Sequence, residues 1–186
     1  MLIVDLDPGD ESMVDACAAL LVEGFARDWP GAWADLAAGR DEVRECALDG
    51  WIARAALDED GTVVGWIGGR PEYDGNVWEL HPLVVRADRR GAGVGRALVA
   101  DLERLAGQRG GLTLRVGSDD VTDMTSLGGV DLYPDPLAHL AAIEDRRGHP
   151  FGFYRRCGFA LVGVVPDANG PGKPDILLAK RIGQPA

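Results

Sequence analysis

Between Trp78 and Arg96 the chain reads WELHPLVVRADRRGAGVGR, and this stretch limits the fold more than any other. An apolar run (Leu80, Leu83, Val84, Val85) leads into a basic hinge (Arg86, Arg89, Arg90) and then a glycine turn (Gly91, Gly93, Gly95). From Val94 onward, Leu98, Val99, Leu102, Leu105 and Ala106 recur at helical spacing. A strand that hands a cationic, backbone-rich turn to a helix N-terminus is suited to hold phosphate. The free N–H groups of the first helical turn and the helix dipole both face the anion. An acid and an imidazole, Glu79 and His81, precede the turn on the strand. Pro82 has no N–H to give to a ladder and predicts a bulge there.

Three phosphate-binding patterns compete for the turn. The Walker loop requires Lys and then Ser or Thr after its last glycine, whereas Arg96-Ala97 follow Gly95. The dinucleotide fingerprint requires glycine where Arg96 stands. What remains is R-x-x-G-x-G, Arg90 through Gly95, between a strand and a helix.

Around this stretch the chain predicts a strand at Leu2–Asp5 and a helix over Gly9–Ala26, with Met13, Ala16, Cys17, Leu20, Leu21 and Phe25 inward. A turn at Asp28–Gly31 follows, then a weaker helix over Trp33–Leu48 with Trp33, Leu36, Ala37, Val43 and Ala47 inward. Trp51–Leu57 and Thr62–Gly69 flank an Asp-Gly turn, a strong hairpin signal. After a loop at Arg70–Gly75, the strand Asn76–Val85 completes a meander. Beyond the glycine-turn helix come strands at Leu112–Val116, Phe159–Val165 and Asp175–Lys180, and a short helix at Phe151–Cys157. Val121–Gly148 shows little periodicity apart from a helical segment at Leu137–Asp145; it reads as a functional excursion. The order is that of an α+β fold on a mixed sheet, expected as a single domain over residues 1–186.

A net charge of −11 argues against a nucleic-acid partner and favours a cationic one. Four arginines within Arg86–Arg96 nevertheless form a basic island. Three cysteines (Cys17, Cys46, Cys157) have no metal-type spacing, and neither do His81, His139 and His149, so no metal site is expected. No window reaches the length of a membrane span, and no secretory signal opens the sequence, which points to the cytoplasm.

The R-x-x-G-x-G turn and the element order resemble the GNAT superfamily of N-acetyltransferases. WELHPLVV, GGLTLRVGSDD, DLYPDP, HPFGFYRRCGF, VGVVPDANGPGKPDI and AKRI further resemble its aminoglycoside 6'-N-acetyltransferases of the enterococcal chromosomal type. The likeness is strongest from Trp78 onward and departs from that pattern around Asp123-Met124-Thr125. It implies a mostly antiparallel mixed sheet flanked by helices and splayed at a coenzyme site. It also implies acetyl-coenzyme A as cosubstrate, an aminoglycoside as acceptor, resistance as outcome, and a homodimer through the C-terminal strands.

Under this resemblance Arg90, Gly91, Ala92, Gly93, Val94, Gly95 and Arg96 hold the coenzyme pyrophosphate, and Val84 and Val85 pair with the pantetheine arm. The Leu83 N–H polarises the thioester carbonyl. Tyr154 gives a proton to the departing thiolate and contacts the coenzyme. Glu79 fits the general base, through a water, because an amine arriving as ammonium must lose a proton; it also holds that cation. His81 is a supporting relay, with a packed strand imidazole as the plain alternative. Asp119 and Asp120, with Asp135 and Glu144 from the excursion, make an acidic cleft for a polycation, though an aspartate at a strand end also serves as a turn former. Trp29 and Tyr73 stack on sugar rings or are ordinary half-buried aromatics. Two other functions stay open on the sequence. One is a GNAT enzyme acting on a polyamine or protein amino group; the other is a non-catalytic module binding acyl-coenzyme A or aminoglycoside.

Overall fold

Asp10 starts the first helix: its carboxylate accepts the N–H groups of Ser12 and Met13, and α1 runs Glu11–Phe25 after the strand β1 (Leu2–Asp5). The structure is a computed structural model describing residues 1–29 and 31–183, so Pro30 of the expected turn lies outside the described residues. Asp35 caps α2 (Leu36–Cys46) through Ala38 N–H. This cap shifts the helix start past Trp33 and changes its phase. Val43 and Ala47 turn inward as expected, joined by Gly39 and Cys46, while Leu36 and Ala37, also expected inside, are exposed.

The chain forms two compact units, Met1–Leu114 with Ile182 and Gly183, and Arg115–Arg181. The first holds β1, α1, α2, β2 (Ile52–Leu57), β3 (Val63–Glu72), β4 (Val77–Val85) and α3 (Val94–Gln108). β5 (Thr113–Asp119) runs from the first unit into the second, which carries α4 (Pro136–Ala141), α5 (Phe151–Arg156), β6 (Ala160–Val165) and β7 (Asp175–Arg181). The strand order is β1-β2-β3-β4-β5-β7-β6 in an open, mixed and mostly antiparallel sheet, as expected. β3 is longer than the sequence indicates and takes in Arg70–Glu72, read there as loop.

In the first unit α1 and α2 cover one face of the β1–β4 meander. Val14, Cys17, Leu21, Val43, Cys46, Trp66 and Val84 are buried in that core. Trp66 satisfies its buried indole by donating to the Cys17 carbonyl at 3.0 Å. On the opposite face α3 packs on β2, β3 and β4. There Asp101 accepts both Arg54 Nε and Arg104 Nη2 at 2.6 Å.

Pro82 sits where the ladder breaks, as the sequence predicts. Ile67 pairs with Leu83 and Gly69 with Leu80, so Gly68 alone faces the two residues His81 and Pro82. A Cβ on Gly68 would lie 2.2 Å from the His81 carbonyl oxygen, so the approach of the strands demands glycine here. The bulge also reverses which residues face which side. Leu80, before it, pairs with Gly69, whose absent Cβ makes room for Leu102 of α3. Val84, beyond it, lies in the core under α1. Glu79 therefore projects from β4 just ahead of a built-in kink, and His81 lies within it.

In the second unit the excursion is held by side chains bonding to backbone. Asp120 accepts Met124 N–H at 2.6 Å, Thr125 N–H at 2.8 Å and the Thr125 hydroxyl at 2.7 Å. Ser126 and Glu144 bond reciprocally, and one Asp145 oxygen accepts the N–H groups of Arg147, Gly148 and His149.

Candidate active site

Glu79 and Arg70 are register partners across β3 and β4, and their side chains form an ion pair. Arg70 also lies 3.5 Å from Glu72 and stacks over the Trp51 ring at 5.6 Å. The Glu79 side chain is 15% exposed, so the carboxylate remains within reach of a ligand while held by a guanidinium. Sequence reasoning missed Arg70. The signal available was its place opposite Glu79 across a hairpin, visible only once the register is known.

His81 points towards α2. Its Nε2 lies 3.4 Å from Glu42 Oε1, and that carboxylate also accepts Trp33 Nε1 at 3.1 Å and Cys46 Sγ at 3.4 Å. Burial alone would push the Glu42 carboxyl up. The hydrogen bonds from His81, Trp33 and Cys46 outweigh burial and hold it below the usual carboxylate range. Burial pushes the Cys46 thiol up, with the Glu42 charge adding to it, so Cys46 stays a neutral donor. Glu42 was not legible as a site residue, since RDEVREC reads as a solvated charged helix face.

The glycine turn presents bare backbone to the outside. Gly91 and Gly93 hold φ of +81° and +90°, and a Cβ on either would meet nothing within 4 Å, so the backbone there opens outward. Gly93 is the N-cap of α3 and brings no side chain to the first-turn N–H groups. Of the basic island, Arg86 pairs with Asp88 at 2.7 Å and Arg89 with Asp58. Arg90 donates Nε to the Val85 carbonyl at 3.1 Å. Arg96 is exposed and forms no ion pair among the described residues. Arg90 and Arg96, the two nominated from sequence, are thus the island's arginines that no carboxylate neutralises among the described residues.

Among the other expected residues of the first unit, Tyr73 is 75% exposed on the β3–β4 turn and Trp29 is half-buried just beyond α1. In the second unit Tyr154 is buried on α5, edge-on to Phe153 and Phe159; burial pushes its phenol well above the ordinary range. Asp119 is half-buried and accepts Asn169 Nδ2. Asp120 requires a correction: it is fully buried and both oxygens are taken up by Met124 and Thr125, so it organises the loop instead of meeting a ligand. Asp135 is exposed and caps α4 through Ala138 N–H at 3.1 Å, and Glu144 is exposed with its N–H bonded to Ser126. Among the described residues no cluster of His, Cys, Asp and Glu is arranged to hold a metal ion.

A bulged strand carrying a carboxylate thus leads into a glycine turn and a helix whose first turn has no side-chain cap. Residues 16–126 match the acetyltransferase (GNAT) family model. The chain belongs to the GNAT acetyltransferase family. It is similar over its whole length to an aminoglycoside 6'-N-acetyltransferase complexed with coenzyme A, at 39% identity and a TM-score of 0.90, covering 99% of that chain. The aminoglycoside 6'-N-acetyltransferase from Enterococcus faecium is 38% identical with a TM-score of 0.86, again over 100% of this chain and 99% of the other. A ribosomal-protein-alanine N-acetyltransferase from Brucella melitensis, at 21% identity and a TM-score of 0.66 over 97% of this chain and 99% of that one, shares the fold alone. No curated protein matches the chain.

Proposed function

We propose that the chain transfers acetyl from acetyl-coenzyme A to the 6'-amine of an aminoglycoside, by direct attack within a ternary complex. The observation that carries this is the full-length likeness, at 39% identity, to an aminoglycoside 6'-N-acetyltransferase complexed with coenzyme A. The outward-facing turn at Gly91 and Gly93 and the uncapped start of α3 fit a pyrophosphate. Acetyl-coenzyme A supplies an electrophilic thioester and a thiolate leaving group.

The residues of this chain do the rest. The N–H groups of Gly91, Ala92, Gly93, Val94 and Gly95, with Arg90 and Arg96, hold the coenzyme phosphates, and the Val84 and Val85 backbone steadies its arm. The Leu83 N–H, just past the bulge, polarises the acetyl carbonyl. Glu79 attracts the ammonium and takes its proton through a water, with His81 as relay. Tyr154 donates a hydrogen bond to the departing thiolate. A phenol held this strongly protonated stabilises the anion more readily than it surrenders its proton. Trp29, Tyr73, Asp119, Asp135 and Glu144 are assigned to the sugar rings and their ammonium groups, with Glu79.

We further assign the action to one acetyltransferase domain over residues 1–186, working in the cytoplasm as a resistance enzyme and as a homodimer. In support of the domain, the family match crosses from the first unit into the second. Among the described residues no helix is long and apolar enough to cross a membrane. The dimer is assigned to the C-terminal strands, where β6 is an edge strand with exposed Val162 and Val165. The test is NMR of the product from kanamycin or tobramycin: acetyl on the 6'-nitrogen is expected, and acetyl on another amine overturns the assignment.

A further inference from the structure

Glu42 stands out among the carboxylates of the first unit. An acidic side chain on a charged helix face ordinarily pairs with a solvated lysine or arginine. Glu42 instead turns inward, its side chain 20% exposed, and its partners are an indole, a thiol and an imidazole. Trp33 Nε1 on Oε2 and Cys46 Sγ on Oε1 fix the carboxylate whatever the state of His81. The Trp33 ring lies 6.0 Å from the imidazole at 44°, and is itself braced edge-on by Phe25 at 4.7 Å. Cys46, one helical turn beyond Glu42, also contacts the His81 carbonyl at 3.5 Å, tying the same helix face to the bulge. The anchor for His81 is thus preformed on α2, and the imidazole keeps half its surface open to solvent.

We propose that Glu42 is a positioning residue that sets the tautomer and orientation of His81. A carboxylate at Nε2 retains the proton on that nitrogen, which leaves Nδ1 as the basic, proton-accepting atom. The imidazole then accepts at Nδ1 the proton that Glu79 draws from the substrate ammonium through a water. The freed nitrogen lone pair attacks the acetyl carbon, the carbonyl re-forms as the carbon–sulfur bond breaks, and the sulfur leaves with the electron pair and takes up the second proton that the nitrogen loses on becoming an amide. Glu42 stabilises the imidazolium until the proton passes to solvent, the part played by the buried acid in acid–histidine pairs elsewhere. Glu79, two residues away on β4, remains the carboxylate that holds the cation and draws off its proton through the water. The inference rests on His81 acting as a relay in the function proposed above.

Long-range proton–nitrogen NMR of the full chain, with His81 assigned by its loss in His81→Ala, reads the tautomer without turnover. The expected result is an Nε2–H tautomer in the wild type, a mixture in Glu42→Ala, and recovery in Glu42→Gln, which keeps an acceptor oxygen. In steady-state kinetics, Glu42→Ala is expected to lower kcat for a 6'-amino aminoglycoside by about tenfold with the acetyl-coenzyme A KM unchanged. In the His81→Ala background that loss should disappear. An Nδ1–H wild type, an unchanged kcat in Glu42→Ala, or losses that multiply with His81→Ala would overturn the inference. Full turnover by His81→Ala with the Nε2–H tautomer intact would instead remove the relay role, a separate failure.

Discussion

Arg70 and Glu79 face one another across the β3–β4 ladder, so the carboxylate expected to receive the substrate's ammonium already holds a guanidinium. The substrate cation must share Glu79 with Arg70 or displace it, and Glu72, 3.5 Å from the guanidinium, offers an alternative partner. Arg70→Met is expected to lower the aminoglycoside KM by up to about fivefold, the scale of a partly exposed ion pair. The acetyl-coenzyme A KM should be unchanged. Initial-rate kinetics with each substrate varied in turn checks this.

Glu79→Gln keeps the shape of the side chain and removes both its charge and its basicity. A fall in kcat/KM of about 10²–10³-fold is expected, the range for losing a general base, with coenzyme A affinity retained by calorimetry.

Two glycines separate steric need from conformational need. Gly68→Ala drives a methyl into the His81 carbonyl and should cost about 1–3 kcal/mol, read as a lower Tm, while disturbing the strand that carries Glu79. At Gly93 there is room for a methyl, but φ is +90°. Gly93→Ala should cost about 1–2 kcal/mol and raise the acetyl-coenzyme A KM more than the aminoglycoside KM.

Acid sensitivity should trace in part to Asp101. Burial pushes its carboxyl up, but the hydrogen bonds from Arg104 and Arg54 and their charges outweigh burial and hold it below the ordinary range. A carboxyl lowered by folding contributes stability above its unfolded value, and that contribution is lost as pH falls through the folded value. Asp101→Asn should therefore destabilise the protein by about 2 kcal/mol at neutral pH. The penalty should shrink once the pH drops below the folded value. Denaturant titrations at a series of pH values measure the difference.

Much of this fold is legible because its signals are local. The stripes of α1 and α3, the Asp-Gly hairpin, Pro82 and the run of glycines each act within a few residues, and the structure places each where the sequence does. Arg70, Glu42 and the excursion are different. Arg70 gains its meaning only from hairpin register, and Glu42 only from the phase that Asp35 imposes on α2 and from the packing of that helix beside the bulge. The segment 121–148 is held by Asp120, Ser126 and Asp145 bonding to backbone, an arrangement with no periodicity to read. Asp120 looks like a ligand residue in sequence because a strand-end carboxylate serves a ligand and a loop equally well.

The coenzyme and acceptor roles assigned to the residues around β4 meet in one comparison, the rate of coenzyme A thiol release with matched aminoglycosides bearing a 6'-amine or a 6'-hydroxyl. The account predicts a kcat/KM for the 6'-amine more than about a hundredfold higher, with the difference largely abolished in Glu79→Gln. Equal rates with the two compounds, or no release with the 6'-amine, would contradict it.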